Sequence, residues 1–488
     1  MILDYLIISL YSLALFIILI YSLLELQLVL NYKKAKKIKT EAVPIPEDWP
    51  KVTVQLPLYN EKYVVKRLLD NISKLDYPQS KLEIQVLDDS TDASKVYTEQ
   101  LTQELINKGM NAKYIHRSNR ANFKAGALKE GLKTAEGEFI AVFDADFLPQ
   151  SGWLKKTIPH FNKDNVGVVQ TRWGHVNRNY SLLTRIQAFA LDFHFLIEQV
   201  GRSFGGHFIN FNGTAGIWRK TCIEDAGDWQ GDTLTEDLDL SYRAQLKGWK
   251  FTYLKDVVTP AELPVVLSAA RSQQFRWNKG AAENFRKNFG AILNSKRLSI
   301  KSKLHSFFHL LNSSMFFLIL LVAVLSIPIL YIKFNQESWS ILFYVLAAMG
   351  VSTFIFIYGY WTSYSEINGY GFLSFLKFMG LFVTFFSIAM GLSVHNTLAI
   401  LEGHFNKKSA FIRTPKFDIS SNTDTWKGKM YINKRLSILN GVEILLFVYF
   451  IYGIYSAYLT QDFGLVIFHL MLCFGFGFIS YKTLFSNA

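Results

Sequence analysis

Cysteine is nearly missing. The 488-residue chain has two, Cys222 in a polar stretch and Cys473 in an apolar run. That argues against a disulfide framework and a cysteine-rich metal site. No internal repeat and no low-complexity segment is present. Zinc-finger, helix-turn-helix and aromatic RNA-binding signatures are absent too, which weighs against nucleic acid as the partner of a chain with net charge +13. What the chain has is apolar residues. Half of it is hydrophobic and 41 residues are Phe, enough for one large soluble domain plus several membrane spans. In such a chain the positive charge points to an anionic membrane face.

The apolar runs set the expected organisation. Residues 5–24 are uncharged and near the roughly 20 residues that a span needs. "KKAKKIK" comes next, at 33–39. With no small-residue cleavage site, this run reads as an anchor and not a signal peptide. Its basic flank places the residues after Leu30 in the cytoplasm and the N-terminus outside. Further spans are expected at 306–332, 340–360, 436–458 and 463–481. The run 378–401 is long enough to cross, but crossing would put loop 403–435, with eight Lys and Arg, outside. It is therefore expected to lie at the interface, leaving five spans. The expected domains are an N-terminal membrane helix (1–32), a cytoplasmic domain (45–290), and interfacial and membrane helices with the basic loop (291–488).

Between residues 51 and 290 short apolar strands alternate with amphipathic segments: "VTVQLPL", "LEIQVLDDS", "AKYIHRS", "GEFIAVFDAD" and "VGVVQTRW". This rhythm predicts an α/β fold with a mostly parallel sheet and crossover helices, embedded between transmembrane helices. Ligands of such sheets bind beyond the carboxyl ends of strands.

Acidic residues fall at those ends. Asp144 and Asp146, after "FIAVF", can share a divalent cation, Mg²⁺ or Mn²⁺, with a diphosphate. Asp88, Asp89 and Asp92 in "LDDSTD" can accept hydrogen bonds from a base or ribose. Lys124 in "FKAGALKEG" can neutralise a phosphate. "DTLTEDLDL" places Glu236, Asp237 and Asp239 within four positions, with Asp232 before them. A partly buried Asp237 beside another carboxylate would have its pKa raised toward the range of a general base. Arg276 and Trp277 in "QQFRW" suit a diphosphate and a sugar ring. Each stretch also has a plainer reading: a solvated turn, a helix start capped by Asp, Ser or Thr235, a surface lysine, or a Trp–Arg anchor at lipid headgroups.

Taken together and in this order, "VLDDS", "DAD", "TED" and "QQFRW" resemble the membrane-embedded family 2 glycosyltransferases of the cellulose synthase type, over roughly residues 52–288. "KAGALKEG", "FNGTAGIWR", "LKGWKF" and "ELP…QQFRW" are similar to the plant cellulose synthase-like A and C proteins, which make β-1,4-mannan, glucomannan or glucan. The resemblance implies a Rossmann-like GT-A domain. It also implies a processive inverting transferase that draws on UDP-glucose or GDP-mannose and moves its polymer through the membrane. By it Asp237 would be the base, in the "TED" of Thr235 and Glu236. Tyr59, Asn60, Glu61, Asp88, Asp89, Lys124, Asp144, Gln273 and Arg276 would hold the donor, and Asp144 and Asp146 the metal. Trp277, with Phe211, Asn212, Gly213 and Thr214, would border the acceptor. Arg413, Thr414 and Lys416 lie where a cytoplasmic loop of the family closes over substrate, though the sequence there differs from the cellulose synthase pattern. The expected partners are the nucleotide sugar, the growing polysaccharide and the bilayer. A ceramide-glucosyltransferase-like enzyme, adding one sugar to a lipid, is the alternative.

Overall fold

The computed structural model describes residues 2–38, 43–409, 411–421, 423–429 and 437–485. Lys39, Ala410, Lys434, Arg435 and Leu436, which belong to the segments expected above, lie outside the described residues.

Strands β1 (Val52–Leu58), β2 (Leu82–Asp88), β3 (Ala112–His116), β4 (Phe139–Val142) and β5 (Val166–His175) fall where the apolar runs place them. Two more were not read from the sequence: β6 (Gly216–Arg219) and β7 (Lys250–Ala261). β6 is four residues long, too short to show a period. β7 is mostly half-buried, and residues 255–257 bulge where its register against β5 shifts. The strand order is β3-β2-β1-β4-β6-β5-β7. β6 runs antiparallel to both its neighbours, β4 and β5, and the other pairings are parallel. β1, β2 and β4 are buried along nearly their whole length, which explains their continuous apolar character.

The strand order reverses at β1, which pairs with β2 on one side and β4 on the other. The turns after these three strands therefore meet in one crevice. Two helices close it. Glu236–Lys247 starts at its floor, and Leu267–Asn294 carries "QQFRW" along its rim.

Among the described residues, six helical segments are long and apolar enough to cross a membrane: Ile2–Ala35, Ile300–Asn335, Ser340–Asn368, Phe372–Gly391, Ile438–Thr460 and Val466–Phe485. They fit a multi-pass membrane protein. The apolar run 378–401 is not one helix. It divides at Leu392 into Phe372–Gly391 and Ser393–His404. Both ends of Phe372–Gly391 touch helices of the sheet domain. Phe378 and Phe385 lie 6.1 and 5.5 Å from the ring of Phe189, while Ile388 clusters with Ile186 and Leu267. The chain then returns over the sheet, where Phe411 stacks on Phe123 at 5.4 Å.

Candidate active site

The crevice is an open cleft beyond the ends of β1, β2 and β4. After β1, Tyr59 lines it with its ring under the Arg120 guanidinium, 3.3 Å from the centroid. Glu61 lines it too, paired with Arg413 at 2.8 Å. Burial raises the Glu61 carboxyl to about 7 even though Arg413 opposes the shift. Asn60 is turned to another task. Its backbone N–H donates to Ser90 Oγ (2.7 Å) and its Oδ1 accepts from Thr91 N (2.9 Å), which ties the first turn to the second.

The two aspartates after β2 separate. Asp89 lines the cleft and receives a two-pronged bond from Arg117, 2.8 and 2.5 Å. Asp88 is fully buried; it accepts from Ser90 N (2.8 Å) and Tyr114 Oη (2.9 Å). This corrects the expectation for Asp88. Its carboxylate shapes the turn from inside the domain and does not face the cleft. Arg117 and Arg120 are additions; the only hint of them was the basic "HRSNR" after β3.

Beyond β4, Lys124 donates to Asp144 Oδ1 at 2.5 Å and to the carbonyl of Gly213 at 2.8 Å. Gly213 has φ +79°, and a Cβ there would lie 3.0 Å from Asp237 Oδ2. Glycine thus supplies both the left-handed turn and the room for the carboxylate. Of "FNGT", Asn212 and Gly213 line the cleft. Phe211 and Thr214 do not match the acceptor-side expectation. Phe211 is buried against Trp218, and Thr214 Oγ1 accepts from Asp144 N at 2.9 Å from beneath. Both support the loop from the core.

The acidic run divides by helical geometry. Asp232 is exposed and pairs with Lys287 at 2.7 Å. Asp239 is fully buried between Arg243 (2.8 Å) and Lys287 (3.0 Å). Glu236 and Asp237 face the cleft. Burial, helped by the neighbouring Glu236, raises Asp237 to about 7, against the pull of Lys124. Burial raises Glu236 as well. Thr235 makes no side-chain cap. Its Oγ1 and carbonyl instead accept from Asn284 Nδ2, at 3.0 and 3.1 Å. Gly280 sits so close that a Cβ there would collide with Thr235 Oγ1. The "TED" turn is thereby clamped to the "QQFRW" helix.

On that helix Gln273, Arg276 and Trp277 line the cleft. Arg276 donates to the Ile412 carbonyl at 2.5 Å and lies 4.8 Å from the Phe411 ring centroid. Burial lowers Arg276 to about 10, which leaves it charged at neutral pH. Arg413, Thr414 and Lys416 line the cleft as well. Lys416 pairs with Asp146 Oδ2 at 2.6 Å and donates to the Glu262 carbonyl at 2.8 Å. Glu262, unnoticed in the sequence except within "ELP", latches this loop: its carboxylate accepts from Phe417 N (2.8 Å) and Ile419 N (3.1 Å).

Among the described residues no cluster of three His, Cys, Asp or Glu side chains forms a cation cage. Asp144 and Asp146 both line the cleft and offer hard oxygen donors. Two carboxylates without a third protein ligand fit a divalent cation that completes its shell with phosphate oxygens and water.

Residues 50–280 match the glycosyltransferase-like family 2. Over 262 residues the chain is 47% identical to a probable glucomannan 4-beta-mannosyltransferase 11 of Oryza sativa subsp. japonica, covering 53% of this chain and 46% of that one. Over 289 residues it is 43% identical to glucomannan 4-beta-mannosyltransferase 2 of Arabidopsis thaliana, covering 57% and 54%. The chain thus spans about half the length of the curated relatives it matches. Its fold resembles that of the mannosyltransferase PcManGT from Pyrobaculum calidifontis, solved with GDP-Man and Mn²⁺. The TM-score is 0.56 at 19% identity, over 82% of this chain and all of that one. The seven-stranded α/β unit has the GT-A architecture, and residues 50–280 are similar to the glycosyltransferase-like family 2.

Proposed function

We propose that the chain is an inverting glycosyltransferase that elongates a β-linked, β-1,4 mannan or glucan from GDP-mannose or UDP-glucose. The observation that carries this reading is Asp237: a cleft-facing carboxyl raised to about 7, against the Lys124–Gly213–Asp144 contacts. A base with that pKa is half ionised near neutrality and matched to proton abstraction there.

The nucleotide end of the donor fits between Tyr59, Asp89 and Arg120, and the diphosphate fits between Lys124 and Arg276. A cation held by Asp144 and Asp146 would neutralise charge on the departing diphosphate. Asp237 takes the proton of an acceptor hydroxyl as that oxygen bonds to the anomeric carbon from the face opposite the diphosphate. The bond from carbon to diphosphate breaks, its electrons leave with the nucleoside diphosphate, and the configuration inverts. Arg276 remains charged to stabilise the leaving group without giving up a proton. The test is the product. Purified full chain with GDP-[¹⁴C]mannose or UDP-[¹⁴C]glucose and Mg²⁺ or Mn²⁺ should yield polymer released by β-1,4-mannanase or β-1,4-glucanase. Label confined to a lipid carrying one sugar would replace this reading with the single-transfer one, and incorporation into neither product would overturn both.

The sheet domain and the loop after Ser393–His404 share one face of the membrane, which we place in the cytoplasm. Lys416 reaches Asp146 and Glu262 latches Phe417, so the chain between them crosses an even number of times. Ile300–Asn335 and Ser340–Asn368 supply that pair. On this reading Phe372–Gly391 does not cross; its contacts to Phe189 and Ile186 support that placement, while its C-terminal end also packs on Gly475 of Val466–Phe485. A cysteine placed at Ser421 should resist a membrane-impermeant maleimide in intact cells and react after permeabilisation. Labelling in intact cells would put the loop outside and remove it from the substrate.

A further inference from the structure

The end of β5 forms the wall of the cleft away from the Tyr59 and Asp89 turns. Trp173 and His175 stand two residues apart on this strand, so their side chains leave the same face of the sheet, and both line the cleft. The Trp173 ring is wedged against Phe147 and Phe195, with centroids 5.0 Å away in each case. His175 pairs in register with Ala261, beside Leu263 and Pro264 of the cleft lining. Trp173 Nε1 and His175 Nε2 are both buried from solvent, and neither has a hydrogen-bond partner. Both rings line the cleft while their nitrogens are closed to it, so a ligand that completes the two nitrogens must turn the rings toward the cleft as it docks.

The chemistry of the wall narrows that ligand. An indole N–H donates only, and a neutral imidazole nitrogen donates or accepts. Burial, reinforced by Arg178 and Arg172, lowers His175 to about 3, so it stays neutral and offers no charge to an anion. Hydroxyl groups satisfy both nitrogens. The neighbouring Asn212 amide is already oriented, accepting from Gln199 Nε2 at 2.7 Å and bonding His194 Nε2 at 3.1 Å. Aromatic surface with fixed hydrogen-bonding groups suits a sugar, whose ring faces are apolar and whose edges carry hydroxyls.

We infer that Trp173 and His175 form a subsite for the acceptor, hydrogen-bonding hydroxyl groups of the terminal sugars of a β-linked oligosaccharide. This rests on the transferase reading above and names side chains that set acceptor affinity. The experiment measures equilibrium binding of β-1,4-mannotetraose and cellotetraose to the detergent-solubilised full chain, with GDP and UDP titrated separately. Trp173→Phe and His175→Phe keep ring shape and remove the nitrogens. Each should raise the dissociation constant of the bound tetrasaccharide about three- to tenfold, the scale of one hydrogen bond, with nucleotide affinity unchanged. His175→Gln, which restores a hydrogen-bonding group, should recover part of the loss. Unchanged tetrasaccharide affinity in both Phe variants would overturn the inference. So would equal losses of nucleotide and tetrasaccharide binding, or no binding of either tetrasaccharide by the parent. Transfer by the parent protein is scored independently, so a chain that binds the tetrasaccharide without extending it would count against the proposed reaction and not against the subsite.

Discussion

Asp237→Asn should bind the nucleotide sugar as the parent does and lose transfer by at least about 10²-fold. The substitution keeps size and hydrogen-bonding shape but removes the proton acceptor. The Lys124 bonds to Asp144 and to the Gly213 carbonyl do not involve the Asp237 side chain, so the donor side of the cleft stays assembled. The parent should show the matching pH signature. Asp237 must be ionised to act, and its carboxyl is raised to about 7. kcat/KM should therefore fall about tenfold per unit as pH drops below 7, and level off above it. Near-normal turnover of the variant, or a profile flat from pH 8 to pH 5, would remove Asp237 from the chemistry.

Asp146→Ala should weaken donor binding and abolish the response to Mg²⁺ or Mn²⁺, since one of two cleft-facing oxygen donors disappears. The same carboxylate holds Lys416 and the backbone of Glu262, so loss of loop docking must be separated from loss of metal. Lys416→Met breaks the loop contact and leaves the carboxylate, and it should keep its metal response. Isothermal titration of Mn²⁺ with GDP or UDP present, beside activity assays, reads both effects. Parent activity that survives exhaustive EDTA treatment would overturn the metal-dependent reading, as would an Asp146→Ala protein that still responds to Mn²⁺.

The carboxylates at strand ends were legible because a doubly wound sheet places its ligands there. "DAD", "TED" and "QQFRW" could be marked without coordinates, and Asp144, Asp237 and Arg276 do converge on one cleft. Which members of a motif face that cleft was not legible. Asp88 and Asp89 are adjacent and chemically alike, yet one carboxylate caps its own turn and the other meets Arg117. The acidic run looks uniform as text. Wound into a helix, it sends Asp239 into the interior, about 200° round from Asp237, while Glu236, the first residue of the helix, stays open to the cleft at its end.

The amino-acid sequence by itself determined the apolar segments, the β1 to β5 strands and the supply of carboxylates, since periodicity and composition are local properties. Only the tertiary structure decided what depends on residues far apart in the chain. Glu262 latches Phe417 and Ile419 across more than 150 positions, and Lys416 reaches Asp146 across 270. The run 378–401 breaks at Leu392 and packs its first half against Phe189 and Ile186. Hydropathy measures how apolar a segment is and carries no record of the surface that buries it. For the same reason His175, one more polar residue at the end of a strand, became a candidate acceptor-binding residue only once its ring was seen to line the cleft with an unpaired nitrogen.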